Sequence, residues 1–198
     1  MQGGDRGYVD SAGTFTKFEQ GSLKPTGSTL DFALEGSGFF EVATPQGVRF
    51  TRNGSFKMNQ NGELTTNDGH PVLREGAGQD PAARTIKLTS SNVTVSQNGD
   101  VYDGGVQVAK LSVVDVQRKE ALQKVGSSFY QLKENYNEPL RPAFDAQVRQ
   151  GFVEGSNVNV VQEMTDMIMA SRVFESNQQA IKAFDKMDDK LVNQVGKG

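Results

Sequence analysis

From Ser156 to Val195 the chain runs without a Gly or a Pro, and it is the only long stretch that does. Its large apolar residues fall at Val160, Val161, Met164, Met167, Ile168, Phe174, Ile181, Phe184, Leu191 and Val195. That three-and-four spacing lines up one face of an α-helix. Asn159 with Gln162 three residues on fits a capping box, and Glu163 and Asp166 lie where the helix dipole favours negative charge. A helix from near Val160 to about Gln194 would be roughly 50 Å long at 1.5 Å per residue, longer than a compact domain of this size needs. The stripe breaks at Ser171, Gln178 and Asp188, polar slots of the kind that set register between packed helices. Such a face is covered either by the chain's own domain or by helices of other chains or of an adjoining segment; the length favours the second.

The rest of the chain punctuates itself differently. Residues 1–27 are rich in Gly, Ser and Thr, with sparse apolar residues such as Tyr8, Val9, Phe15, Phe18 and Leu23, and read as an extended leading segment. The abrupt Met-Gln-Gly-Gly opening raises the expectation of a segment upstream. From Ser28, Leu30, Phe32 and Leu34 alternate with Asp31, Ala33 and Glu35, the period of a half-buried strand. Phe39 to Ala43, a Thr44-Pro45-Gln46-Gly47 turn and Val48 to Thr51 make a hairpin. Asn53-Gly54, Asn61-Gly62 and Asp68-Gly69 then recur between short apolar runs at Phe56 and Met58, Leu64, and Val72 and Leu73. These dipeptides supply the positive φ angles of tight turns, so an antiparallel meander of four or five short strands is expected up to Leu73.

Beyond a polar loop at 75–84, short strands are expected at Thr85 to Leu88 and around Val93, Val95, Val101 and Tyr102. Val106 to Val116 is the longest β-type run and reads as a central strand. Residues 118–136 are ambiguous, Pro139 and Pro142 exclude a regular interior element, and Gln147 to Phe152 reads as one last strand. The fold class is therefore mainly β: an antiparallel meander or barrel-like domain over 28–150, followed by a C-terminal helical segment over 151–198.

The composition narrows the chemistry. A net charge of −3 with scattered Lys and Arg argues against nucleic acid. No Cys is present, which removes disulfides, thiolate metal sites and cysteine nucleophiles. No run reaches the roughly 18 apolar residues of a membrane span, so no membrane insertion is expected, and the start lacks a cleavable signal pattern. His70, the only histidine, lies between Gly69 and Pro71 in a turn. Asp31, Glu35 and Glu41 could gather as glycosidase acids, but strand-face acids are more often the solvated side of an alternating pattern. Asp100 and Asp103 lack the calcium-loop spacing. Gly36-Ser37-Gly38 lacks the third Gly and the following helix of a phosphate cradle. Lys24, Arg49 and Arg52 form no evident pocket. No catalytic, metal or cofactor site is expected, nor a small-molecule substrate.

The block from Leu30 to Leu73 resembles the signature region of the flagellar rod and hook proteins. The pieces that carry it are Leu30-Asp31-Phe32-Ala33-Leu34, Gly38-Phe39-Phe40, Thr51-Arg52-Asn53-Gly54-Ser55-Phe56, Asn61-Gly62-Glu63-Leu64 and Asp68-Gly69. Gln150 to Val161 with Glu163-Met164 and Met167-Ile168 resembles that family's C-terminal helix. Pro71-Val72-Leu73, Leu111 to Asp115 and Lys124-Val125-Gly126 are more similar to its proximal than to its distal rod subunits. The family's N-terminal helix, with Asn-rich and Gly-Phe motifs, has no counterpart before Gln2.

The resemblance implies a structural subunit, not an enzyme. It would be exported by the flagellar export apparatus without a cleaved signal and would assemble in the periplasm with itself and other rod subunits into a helical, torque-transmitting shaft. The assembly interface would comprise Asn157, Asn159, Val160, Val161, Met164, Met167, Ile168, Phe174, Ile181, Phe184 and Leu191. A periplasmic glycan-acting enzyme built on Glu41 and Asp31, or an adhesion module, is the competing class.

Overall fold

A computed structural model describes residue 16 and residues 18–195, apart from 77, 91, 127, 135, 137 and 138. Tyr8, Val9 and Phe15 lie outside the described residues, as do the side chains of Asp188, Leu191 and Val195. The chain divides into two units, Met1–Ser156 and Asn157–Gly198.

The first unit is built of short strands: β1 (Leu23–Pro25), β2 (Phe32–Glu35), β3 (Phe39–Thr44), β4 (Gly47–Thr51), β5 (Phe56–Met58), β6 (Leu64–Thr66), β7 (Val93–Val95), β8 (Asp100–Asp103), β9 (Val106–Lys110), β10 (Val113–Asp115), β11 (Leu122–Val125), β12 (Phe129–Leu132), β13 (Arg141–Pro142), β14 (Gln147–Gln150) and β15 (Phe152–Glu154). The second holds one helix, α1 (Val160–Val195). The strand pairings are antiparallel, and among the described residues no sheet closes into a barrel.

A six-stranded sheet, ordered β11-β12-β4-β3-β10-β13, forms the middle layer. Because neighbouring strand residues point to opposite faces, its strands β3, β10 and β12 each feed two cores. Phe40, Val42 and Phe129 join Phe32, Leu34, Phe56, Leu64, Val72, Ile86, Leu111 and Val148 on one side. Phe39, Phe50 and Val114 join Val116, Ala121 and Leu122 on the other. This is why Phe39-Phe40 stand side by side in the sequence: one ring serves each core.

The expected β3–β4 hairpin forms, with Thr44 opposite Gly47, and β5 pairs with β6. The first strand departs from a meander of neighbours, since β2 pairs with β14, Leu34 opposite Val148, more than a hundred residues on. Its alternation is also not that of a half-buried strand: Phe32, Ala33 and Leu34 are all buried, so both of its faces are covered. Thr85 to Leu88 contributes isolated bridges at Thr85 and Lys87 rather than a strand. The polar loop before it contains a 3-10 turn, Pro81–Arg84, whose start is capped by the Asp80 carboxylate accepting from Ala82 N–H (2.9 Å).

The run from Val106 to Val116 is not one central strand. It splits at Leu111-Ser112 into β9, the edge of a three-stranded sheet β7-β8-β9, and β10, interior to the six-stranded sheet. Val106, 67% exposed, marks the edge half; Val114 is buried in the interior half. Pro142 sits on the edge strand β13, where a missing N–H costs the ladder nothing. The last expected strand is two, β14 and β15, separated by Gly151.

Asn53-Gly54 reads as a positive-φ turn, but Gly54 is absent from the left-handed region. A Cβ there would lie 1.6 Å from the Phe32 carbonyl oxygen. Gly is needed at this point for close backbone approach, which the 2.9 Å bond from Phe32 N–H to Gly54 O requires.

Candidate functional site

The helix begins where its sequence signal lies. Asn159 Oδ1 accepts from the N–H groups of Val161 (3.2 Å) and Gln162 (3.4 Å), and Asn159 O accepts from Glu163 N–H (3.0 Å). A side-chain cap of this kind satisfies donors that the first helical turn leaves without partners. Asn157, also exposed, lies just ahead of the cap.

Along the helix the apolar stripe is exposed among the described residues. Val160, Val161, Met164, Met167, Ile168, Phe174, Ile181 and Phe184 are each between 55% and 74% exposed. Val160, Met167, Phe174 and Ile181 recur every seven residues, the repeat with which helices wind round one another in left-handed supercoils. The polar positions Ser171 and Gln178 fall in the same stripe. Sequence periodicity missed Met169, Val173 and Met187, which are equally exposed and widen the apolar surface beyond one seam. The four-residue spacing of Met169 and Val173 was the available signal. Isolated exposed hydrophobes are ordinary on a protein surface, whereas contiguous apolar runs are characteristic of interaction surfaces.

The acids that a glycan-cleaving centre would need are occupied elsewhere. Glu41, on β3, is buried and receives Arg84 Nη2 and the Ser112 hydroxyl (2.6 Å) on the same oxygen. Arg84 Nη2 also donates to Ser112 Oγ (3.1 Å), and its Nε donates to the Arg74 carbonyl (3.0 Å). Asp31 accepts from the Ser55 hydroxyl (3.0 Å). Glu35 pairs with Arg149 at the surface (2.7 Å).

The other singled-out residues are likewise structural in their contacts. His70 stacks edge-on against Phe129, ring centroids 5.6 Å apart, and its backbone N–H donates to Thr66 Oγ1 (3.2 Å). Asp100 accepts from Ser96 Oγ (3.0 Å). Asp103 accepts from the Ser90 hydroxyl and from the hydroxyl and N–H of Thr89 (each 2.6 Å). Ser90's hydroxyl first, then the two Thr89 donors, hold the Asp103 carboxyl below the usual range, at about 2. In the Gly36-Ser37-Gly38 loop the carbonyls of Gly36 and Gly38 both face the Arg52 guanidinium (2.8 Å each), so the loop offers acceptors to a cation where a phosphate cradle would offer donors.

Arg52 is the residue that local sequence reading passed over. Its Nε donates to Glu154 Oε2 (2.8 Å), a partner 102 positions away that no short spacing could reveal.

Fold and site together define a structural protein: a self-contained β body and a long helix with an uncovered apolar stripe. Two family profiles match the chain. "Flagellar hook protein FlgE/F/G D1 domain" covers residues 33–103, and "Flagellar basal body rod FlgEFG protein C-terminal" covers residues 149–195. The flagellar basal-body rod protein FlgF of Rhizobium meliloti is 33% identical over 189 residues, spanning 96% of this chain and 76% of the relative. FlgF of Caulobacter vibrioides is 34% identical over 190 residues (96% and 75%). The rod protein FlgG of Bacillus subtilis is 32% identical over 200 residues (94% and 74%). The chain belongs to the flagellar basal-body rod proteins, a family of structural rod subunits.

Proposed function

We propose that this chain is a subunit of the hollow flagellar rod whose helix α1 packs against helices of neighbouring axial subunits, its own copies included, to form a torque-transmitting shaft. The observation that carries this is the apolar stripe on α1, uncovered from Val160 to Phe184 and repeating every seven residues. Its assembly interface comprises Asn157, Asn159, Val160, Val161, Met164, Met167, Ile168, Phe174, Ile181, Phe184 and Leu191. Covering each large side chain contributes roughly 1.5–3 kcal/mol, so several in one contact outweigh the ordering of the helix ends. The subunit travels through the flagellar export apparatus without a cleaved signal and assembles in the periplasm. The β unit, over 28–150 with its leading segment, is the spacer, and the helical segment is the polymerising part.

Between the two rod positions the proximal one is favoured by Pro71-Val72-Leu73, Leu111 to Asp115 and Lys124-Val125-Gly126, which resemble proximal subunits. The distal position is the second reading.

The test is deletion of the gene in its source organism with imaging of basal bodies and scoring of swimming. Rods that stop at the inner-membrane end support the proximal reading, and rods that stop further out support the distal one. Intact flagella with normal swimming would overturn the rod function. In the complemented strain, Ile168→Asp, Phe174→Asp and Ile181→Asp should each abolish rod assembly while the β unit stays folded. Normal rods in all three would place the interface elsewhere.

A further inference from the structure

The first and last strands of the β unit meet near its C-terminal end. β1 and β15 form a two-stranded sheet, Leu23 opposite Glu154, and Glu154 lies two residues before the end of the unit. Gly21 and Gly155 are pressed together beyond this pair: a Cβ on Gly21 would lie 1.8 Å from the Gly155 carbonyl oxygen. A three-residue pair of strands is marginal on its own. Something else must hold this neck.

Side chains do so from both sides. Arg52 follows β4 of the six-stranded sheet directly, and its guanidinium reaches Glu154 (2.8 Å) and the carbonyls of Gly36 and Gly38 (2.8 Å each). Glu154 uses its other oxygen to accept from Gly21 N–H (2.9 Å), on the opposite strand of the neck. Gln20 completes the tie, donating to Leu34 O (3.0 Å) and accepting from Gly36 N–H (3.1 Å). The ion pair is largely shielded, its side chains 21% and 10% exposed, so solvent screens it less than a surface pair. The forked guanidinium is what allows one side chain to bind a carboxylate and two carbonyls together; an ammonium has no such fixed fork.

We propose that Arg52 is a positioning residue that locks the β1–β15 neck to the six-stranded sheet, so that load on the chain leaving the β unit passes into that sheet instead of peeling the neck apart. The load transmission rests on the rod function proposed above; the local locking does not.

Two experiments separate these. In purified full-length chain, amide hydrogen exchange is followed at Gly155, which donates to Ser22 O, and at Thr26, which donates to Gly151 O. Arg52→Ala and Arg52→Lys should each raise exchange at both amides by about tenfold, the scale of losing a charge-assisted hydrogen bond, with β3 and β4 unchanged. Gly21→Ala, which forces the neck apart without touching Arg52, should do the same. Unchanged exchange at Gly155 and Thr26 in Arg52→Ala, or an equal rise across every strand, would overturn the locking.

The same alleles are then placed in the source organism and swimming is measured as medium viscosity rises. Loss of rods, or swimming that fails at a lower viscosity than wild type, supports load transmission. Normal swimming at every viscosity with a loosened neck overturns it. Intact flagella in the deletion strain would instead count against the rod function, leaving the exchange result untouched.

Discussion

Replacing Glu41 by Ala removes the anion from a buried pair and leaves the guanidinium of Arg84 behind. The two side chains are 7% and 5% exposed, so water cannot take over the lost interaction. Breaking one partner of a buried ion pair costs about 3–5 kcal/mol, because the remaining charge is stranded in a medium that solvates it poorly. Ser112 would also lose its acceptor, while Arg84 would keep the Arg74 carbonyl and Ser112 Oγ. For a chain of this size each kcal/mol moves the melting midpoint by roughly 2–4 °C, so the expected drop is about 6–20 °C. Glu41→Gln is the control, since its amide oxygen still accepts from Arg84 and Ser112. It should cost clearly less, on the scale separating neutral from charge-assisted hydrogen bonds, about 1–2 kcal/mol. Calorimetry, with near-ultraviolet circular dichroism to report the aromatic core, measures both. A midpoint drop below about 2 °C for Glu41→Ala, or equal losses for the two variants, would refute a buried pair that locks β3 to the turn at Arg84. The outcome also bears on the competing glycan-enzyme class, because a carboxylate committed to Arg84 and Ser112 is not a free acid or base.

Other expectations follow from single contacts. Asp103, held at about 2 by its hydroxyl and amide donors, contributes stability that is fully present above the ordinary carboxylate range and is lost as pH falls from about 4 through about 2; in Asp103→Asn, melts across that window should lose this part of their pH dependence. Asn159→Ala removes the cap on α1 and should destabilise its first turn by about 1 kcal/mol, read as faster amide exchange at Val161 and Gln162. Phe40→Ala empties a fully buried site against Phe56, ring centroids 5.3 Å apart, and should cost about 3–5 kcal/mol in a urea titration of the β unit.

What the sequence displays is local. The helix was legible because three-and-four spacing, a cap at Asn159 and the lack of Gly and Pro all act within a few residues of one another. The β3–β4 hairpin was legible for the same reason: its turn residues lie between the strands they join. Pairings across the chain leave no such mark. β2 alternates like an ordinary half-buried strand, yet Ala33 is as buried as Leu34, and nothing near β2 in the sequence marks its pairing with β14, which arrives from residues 147–150. Arg52 sits in a conspicuous Thr-Arg-Asn-Gly motif, yet its partner Glu154 could have been any acid in the chain. The Val106 to Val116 run misled in a different way. β-propensity marks residues suited to strands but does not say which sheet they join, and this run serves two.

The two units solve the burial problem in opposite ways, and the difference explains why a rod subunit would be built from both. In the β unit, strand alternation sends one ring of Phe39-Phe40 into each core, so folding is complete within the chain. In α1 the same class of side chain stays in water. A helix alone gains only backbone hydrogen bonds and weak local pairs, so its fixed conformation depends on packing its apolar face. In the proposed rod, polymerisation would supply that packing, each added subunit both covering and presenting a stripe. On that proposal, folding of the body would precede assembly, and firm ordering of the helix would belong to it. A substitution in the β cores would lower the amount of subunit, whereas one in the stripe would leave normal amounts of a subunit that does not polymerise.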